Sequence, residues 1–371
     1  MPEWSRVVNS TIAKYVKGEE PNILRNRKLT ALLMDRGRIK YNVSGTEYDW
    51  KVRYKRAPLI GYADGDTLSF PRQNRWKTAK LPWRGYASTD SMTKKEKLMN
   101  RNTEAIVKLY SNIGKILLED CEDQFGDELY IDGNGSGNTN RIHGLESALG
   151  DNDQSINIST GAERSENVAD KFQSPEDTYA DLTTGIGDYG GTWSGSWPNG
   201  TGDATYDYWS PILINYPSSA FSATATWAAN AKLAVREGIL QSNRNKSRRG
   251  MLDLIMVTRS MYGEFLNLLD DNERYIATSG KIQGSLAKFG FSDTVNFDGV
   301  EITSEFGVPD TIGYGVNVDM VSLCSMQDQI FVPDGPDYDV ASKSWRFSID
   351  FFGNLELNPR YLVKWDDYKS S

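Results

Sequence analysis

His143 is the only histidine in the 371 residues, which leaves little room for His-based catalysis and none for a site that needs two imidazoles. A Ser-His-Asp triad, a His-pair metal site and the HExxH arrangement all need an imidazole at a set distance from a second group. His143 itself lies in Arg141-Ile142-His143-Gly144, after a glycine-rich turn, and is read as structural or surface. No phosphate-cradling Walker loop and no GxSxG elbow occur. The two cysteines, Cys121 and Cys324, are too few for a four-cysteine zinc site or a disulfide framework and suit a reducing cytosol. Both read as small buried hydrophobes. Asp132 to Asn138 has the composition of a calcium loop but lacks the closing glutamate at the EF-hand spacing, so it is read as a turn. Asp203 and Asp207, among Trp193, Trp197 and Trp209, could line a sugar groove with two acids, the weaker, carbohydrate-binding reading. No catalytic, metal-ligating or cofactor-binding residue is assigned, and no enzymatic activity is expected.

A stronger pattern lies in the basic residues Lys51, Arg53, Lys55, Arg56, Arg72, Arg75, Lys77, Lys80 and Arg84, interleaved with Trp50, Tyr54, Trp76 and Trp83. Cations and rings in alternation can hold phosphates and stack bases, or they can meet carboxylates on another protein surface. Charge distribution bears on the choice. Residues 21–101 carry 19 basic and 7 acidic side chains, whereas residues 102–210 carry 5 and 20. With −8 overall and +12 in the first of these blocks, the rest of the chain nets −20, so an acidic counterpart is already present in every copy. Contact between subunits is therefore favoured over nucleic-acid binding.

The elements that must carry these residues follow from periodicity. Leu29 to Arg36 is predicted as a short helix ended by Gly37, in an arm that packs on something else. From Glu47 to Lys55, Tyr48, Trp50, Val52 and Tyr54 alternate with charged residues, the mark of a one-faced strand. A second strand, from about Arg75 to Tyr86, is broken by Pro82 and Gly85. Together they make a long ribbon whose aromatic face needs a covering surface, which a neighbouring subunit could supply. Thr93 and Glu96 have capping-box spacing, and the helix after them carries Ile106, Leu109, Ile113, Leu117 and Cys121 as a packing stripe before a stop at Gly126. Running from Thr93 to Phe125 it would span about 50 Å, a spine. Residues 132–211 read as long loops or an insertion. Beyond them come a helix over Ser218–Gln241, a strand over Leu252–Thr258, a helix over Ser260–Asp271 and a tail that turns at Gly353-Asn354. The class is α+β. Length suggests two domains, no apolar run is long enough for a membrane span, and no secretory signal is seen over residues 1–20.

This order of arm, ribbon, spine helix, glycine-rich turn and α+β body resembles the major capsid proteins of tailed bacteriophages (Caudoviricetes) with the Hong-Kong-97-like fold. Leu254-Ile-Met-Val-Thr-Arg259, then a helix containing Tyr262, then Phe297-Asp-Gly-Val-Glu-Ile302, Gly307-Val-Pro309 and Gly315-Val-Asn-Val-Asp319, are similar to the family's succession before its last hairpin. The resemblance implies an N-terminal arm (1–45), an extended loop (46–90), a peripheral domain with the spine helix (91–149) and an axial domain (150–371). The axial domain would hold an insertion near 150–215, and strands near 250–310 would return to the peripheral domain. It further implies self-assembly as hexamers and pentamers into an icosahedral virion shell around double-stranded DNA, touched non-specifically, in the host cytoplasm. Portal and decoration proteins are implied partners. No coiled-coil leader precedes the arm, so scaffolding is expected from another protein. Some relatives crosslink through a loop lysine. Lys77 and Lys80 lie in this loop, but no partner asparagine is identifiable. The encapsulin-type nanocompartment, a shell with the same fold around enzymes, is the alternative.

Overall fold

A computed structural model describes residues 27–54, 59–72, 74–99, 103–150, 171–173, 175, 177–185, 209–242, 252–270, 286, 288 and 294–367. Helix α1 (Lys28–Asp35) forms as predicted, and Gly37 takes the left-handed φ of +61° that closes it. Leu29, Leu32 and Leu33 are buried in the main core, and Lys28 donates from Nζ to Thr303 Oγ1 at 2.8 Å and from its backbone N–H to Glu305 Oε2 at 3.0 Å. This part of the arm is therefore tied to its own subunit. Residues 1–26 lie outside the described residues.

After a two-residue strand β1 (Ile39–Lys40), the ribbon appears as β2 (Glu47–Arg53) and β3 (Trp76–Pro82), antiparallel from Glu47↔Pro82 to Arg53↔Trp76. The second strand does not end near Tyr86. Beyond Trp83 the chain continues as β4 (Arg84–Thr93), ten residues inserted into a different sheet. Small side chains at Ala87, Ser88, Thr89 and Ser91 hide the period-two pattern there, because hydrophobic alternation is the signal and these positions lack it. The capping box forms reciprocally, Thr93 N–H to Glu96 Oε2 at 2.7 Å and Glu96 N–H to Thr93 Oγ1 at 3.3 Å. It opens α2 (Lys94–Met99), and α3 (Thr103–Glu128) completes the region expected as the spine, with residues 100–102 outside the described residues. Gly126 is not a stop. It sits inside α3, where a Cβ would strike the Arg27 side chain.

Short strands follow: β5 (Phe172–Gln173) and the hairpin β6 (Thr178–Tyr179) with β7 (Leu182–Thr183). Most of the expected insertion, 151–170 and 186–208, lies outside the described residues. After β8 (Ile212–Asn215), helix α4 spans Trp227–Ser242 instead of starting at Ser218. The hydroxyls of Ser218 and Ser222 accept from Ala220 and Thr224 N–H, both at 3.2 Å, and Asn230 Nδ2 donates to Tyr216 O at 2.8 Å, so side chains hold this stretch in turns. The order then runs β9 (Leu254–Val257), α5 (Arg259–Asp270), β10 (Thr294–Phe297), β11 (Val300–Ser304), β12 (Gly313–Val316), β13 (Ser322–Ser325), β14 (Val332–Asp339), β15 (Ser344–Glu356) and β16 (Leu362–Asp366).

Seven strands form one mixed sheet in the order β10-β11-β9-β12-β16-β8-β5. Its central strands are buried on both faces, which is why β8 and β9 read as unbroken apolar runs. Ile255, Val257, Val363 and Trp365 pack under α4 and α5, while Leu254, Met256 and Leu362 join the main core on the other side. The second sheet is built on β15, whose length is shared by β4, β14 and β13, and β13 also takes β1. Helix α3 covers this sheet through Phe125, whose ring meets Phe351 at 4.9 Å and Phe331 at 5.4 Å. The expected turn at Gly353-Asn354 is not one, since β15 runs straight through it. Gly353 is required by the close approach of Cys324 O from β13. Asn354 braces three segments, accepting from His143 N–H at 2.9 Å and donating to Pro82 O at 2.8 Å.

Candidate assembly surface

The charged and apolar faces of the ribbon separate as the alternation predicts: Tyr48, Trp50 and Val52 turn inward while Asp49, Lys51 and Arg53 are exposed. The inward face is covered by its own subunit, which corrects the expectation of a neighbour. Trp50 lies 6.3 Å from Tyr179 and 6.5 Å from Trp209, and Tyr48 OH donates to Glu356 Oε2 at 2.7 Å, all within one chain. Trp209 is fully buried in this stack, so it belongs to the core and not to a sugar groove. Trp193, Trp197, Asp203 and Asp207 lie outside the described residues.

The remaining ribbon residues divide into an anchored base and a bare distal part. Lys80 is half-exposed, 3.8 Å from Glu47, and its backbone N–H donates to Ala180 O at 3.0 Å, tying the base down. Trp83 Nε1 donates to Gly45 O at 3.0 Å. Tyr54 OH donates to Asn74 O at 3.0 Å, and Lys77 Nζ stands 5.3 Å from its ring centre. Arg75 is half-buried and Arg72 exposed. Arg84 turns inward: its Nε is buried, and its charge adds to burial in pushing the His143 pKa down to about 4, so this imidazole is neutral. Lys55 and Arg56 lie outside the described residues. Beyond the base, Leu59 is 102% exposed, Phe70 90%, Tyr62 69% and Trp76 57%. Large apolar side chains are thus gathered in the open on one extension, the kind of patch that marks a candidate interaction site. Hydropathy alone does not find them, because Leu59, Ile60 and Phe70 look like core residues in sequence. Only their placement on a protruding loop reveals the exposure.

Ile113 and Leu117 are buried on α3 as the stripe predicts. Ile106 and Leu109 lie on the same helix, with side chains outside the described residues. The Asp132–Asn138 segment forms a turn in which Asn134 N–H donates to Asp132 Oδ1 at 2.8 Å and Asn138 Nδ2 to Asp132 O at 2.7 Å, anchored to the rest of the fold by Gly133 N–H donating to Ser147 Oγ at 2.8 Å. Among the described residues no group of three or more His, Cys, Asp or Glu is placed to hold a metal ion. Burial pushes the thiols of Cys121 and Cys324 up to about 11, keeping them protonated and weakly nucleophilic. Among the described residues no helix is long and apolar enough to cross a membrane.

A second set of polar groups, unforeseen in the sequence, sits inside the fold. Lys364 on β16 pairs with Glu146 and lies 3.0 Å from Asp366, and Tyr314 OH donates to Glu146 Oε2 at 2.5 Å. Asp177 accepts from Thr178 N–H at 2.6 Å and Gly150 N–H at 3.2 Å, yet burial, with Asp132 and Glu146 adding, pushes its pKa up to about 7.

No family model matches the sequence, and no curated protein matches it. Solved structures do. The cyanophage A-1(L) capsid asymmetric unit aligns over 91% of this chain and 92% of its own, at 15% identity and a TM-score of 0.57. The capsid of a native GTA particle aligns over 90% and 89% at 11% identity, with a TM-score of 0.52, and that of the empty GTA particle over 90% and 96% at 10% identity, with a TM-score of 0.51. At these identities what is shared is the path of the backbone, along nearly the whole length of both chains. The α+β body with its protruding ribbon and spine helix is the Hong-Kong-97-like fold of tailed-bacteriophage capsid proteins.

Proposed function

We propose that this chain is the major capsid protein of a tailed phage, assembling as hexamers and pentamers into an icosahedral shell around double-stranded DNA. The observation that carries the reading is the distal ribbon. Within a fold shared with capsid subunits, it leaves Leu59, Tyr62, Phe70 and Trp76 bare in the single subunit, where a second copy would remove them from water at about 25 cal/mol for each Å² buried. The function is structural, its place the virion, with assembly in the host cytoplasm. Self-contact is the primary interaction, and scaffolding, portal and decoration proteins are secondary partners. DNA is touched without sequence preference, through its phosphates and not its base edges.

Electron microscopy of the purified chain, with and without a co-expressed scaffold, tests this directly. Closed shells are expected; monodisperse monomers across salt and concentration, even with scaffold supplied, would sink it. Shells filled with a cargo enzyme in the native host, and free of DNA, would replace the virion reading with the nanocompartment one.

A further inference from the structure

Beside residues 353 and 354 of β15 the fold gathers two nitrogen-bearing side chains whose donors nothing among the described residues satisfies. His143 is 5% exposed, yet neither Nδ1 nor Nε2 has a hydrogen-bond partner there. Arg84 is half-buried, its Nε is inside and unpartnered, and among the described residues no carboxylate pairs with it. Glu128, close by at the end of α3, is already engaged by Arg141 and accepts from Tyr86 OH at 2.6 Å. Backbone contacts hold the two side chains in one neighbourhood. Arg84 pairs in register with Gly353, while Asn354 accepts from His143 N–H at 2.9 Å and donates to Pro82 O at 2.8 Å. Burial first, and then the Arg84 charge, take the His143 pKa down to about 4, so a cation stands beside a neutral imidazole. Buried donors without an acceptor are rare in native folds, and a charged one is costlier than a neutral one.

We propose that Arg84 and His143 form a binding site for a small oxyanion, a carboxylate or a phosphate, that accepts from the Arg84 guanidinium and from His143 Nε2. The charge to be met is positive and has no counterion among the described residues, which turns away a cation and calls for an anion. A guanidinium edge presents parallel N–H groups that match two oxygens of one carboxylate or phosphate. On the imidazole, Gly133 closes the Nδ1 edge, since a Cβ there would lie 3.0 Å from Nδ1. That leaves Nε2 to face the ligand, and a neutral ring with its single proton on Nε2 donates it. A bound anion would join the loop that holds His143 to the start of β4, the strand that carries the ribbon into the second sheet. The site lies inside one subunit, so it goes beyond the shell reading and does not depend on it.

The single histidine makes the test direct, because His143 gives the only imidazole signals in the chain. Their shifts are followed by NMR on the full-length protein, in solution for unassembled subunits or by magic-angle spinning for particles. Potassium phosphate and potassium acetate are titrated in at constant ionic strength, with potassium chloride as the reference. At least one oxyanion is expected to give a saturable shift, and which one does so tells phosphate from carboxylate. The same anion should move the His143 pKa up from about 4, because it favours the imidazolium, and raise the melting temperature by about 2 °C at tenfold over its Kd. Arg84→Gln is expected to raise that pKa with no anion added, since the repelling charge is gone, and to abolish the response. If glutamine unfolds the protein, Arg84→Lys keeps the charge without the fork and should bind about tenfold more weakly. Signals that ignore both oxyanions, an equal response to chloride, or a response undiminished in the Arg84 variant overturns the proposal and leaves the shell reading untouched.

Discussion

Lys364 carries its ammonium into the fold with a side chain only 3% exposed, flanked by Glu146 and Asp366. Removing one member of such a buried set leaves charges without compensation, which costs more than the pairing itself contributes. Lys364→Met is therefore expected to destabilise the unassembled subunit by about 3–5 kcal/mol in urea unfolding. Glu146→Gln, which keeps a hydrogen-bonding group in place, should cost less; equal losses would mean that packing and not charge is at stake. Asp177 gives a pH signature. Its carboxyl is pushed from 3.8 up to about 7 by burial, with Asp132 and Glu146 adding, while Thr178 and Gly150 N–H pull the other way. The unfolded chain ionises first, so stability is full below pH 3.8 and is lost as pH rises through about 7. His143 slopes oppositely. Its pKa falls from 6.5 to about 4, so stability is lost as pH falls across that interval. Asp177→Asn should remove only the first slope, seen as a gain over wild type that grows from about pH 4 to about pH 7. A difference that stays constant with pH would assign Asp177 a role in packing alone.

At the scale of elements, the ribbon has a fixed root and a bare distal part. The root is held by the pairing of β2 with β3, by the Trp50–Tyr179–Trp209 stack and by Lys80 N–H to Ala180 O. The part from Leu59 to Phe70 exposes its large side chains. Replacing residues 59–72 with a short Gly-Ser turn is expected to leave subunit melting within a few degrees of wild type, since loop length affects stability only logarithmically, and to abolish particles. Loss of subunit stability on the same change would show that the distal ribbon serves its own chain. The spine helix behaves differently. Phe125 and Leu117 are core residues, so α3 cannot be altered without altering the subunit.

For the whole molecule, charge is segregated along the chain, with +12 over residues 21–101 against −20 over the rest. Much of the architecture is legible in the sequence, because periodicity and capping are local: α1, the β2 alternation, the Thr93–Glu96 box, β9 and α5 all lie close to where the pattern puts them. The departures are equally physical. β4 escapes the pattern because small polar side chains give no alternation. Gly126 and Gly353 look like a stop and a turn, whereas their missing Cβ atoms serve contacts with Arg27 and Cys324. A glycine's local meaning and its packing meaning look identical in one dimension. The order of residues is enough for the α+β class, the one-faced ribbon, the split of charge and the poverty of catalytic groups, all of which are local or additive properties. Packing in three dimensions adds that Trp50 and Trp209 face each other inside one subunit, that Lys364, Glu146 and Asp366 meet in the interior, and that Asp90, Asp334 and Asp337 converge on one groove. Most of those partners lie far apart along the chain, and their meeting depends on strand register, which no single segment encodes.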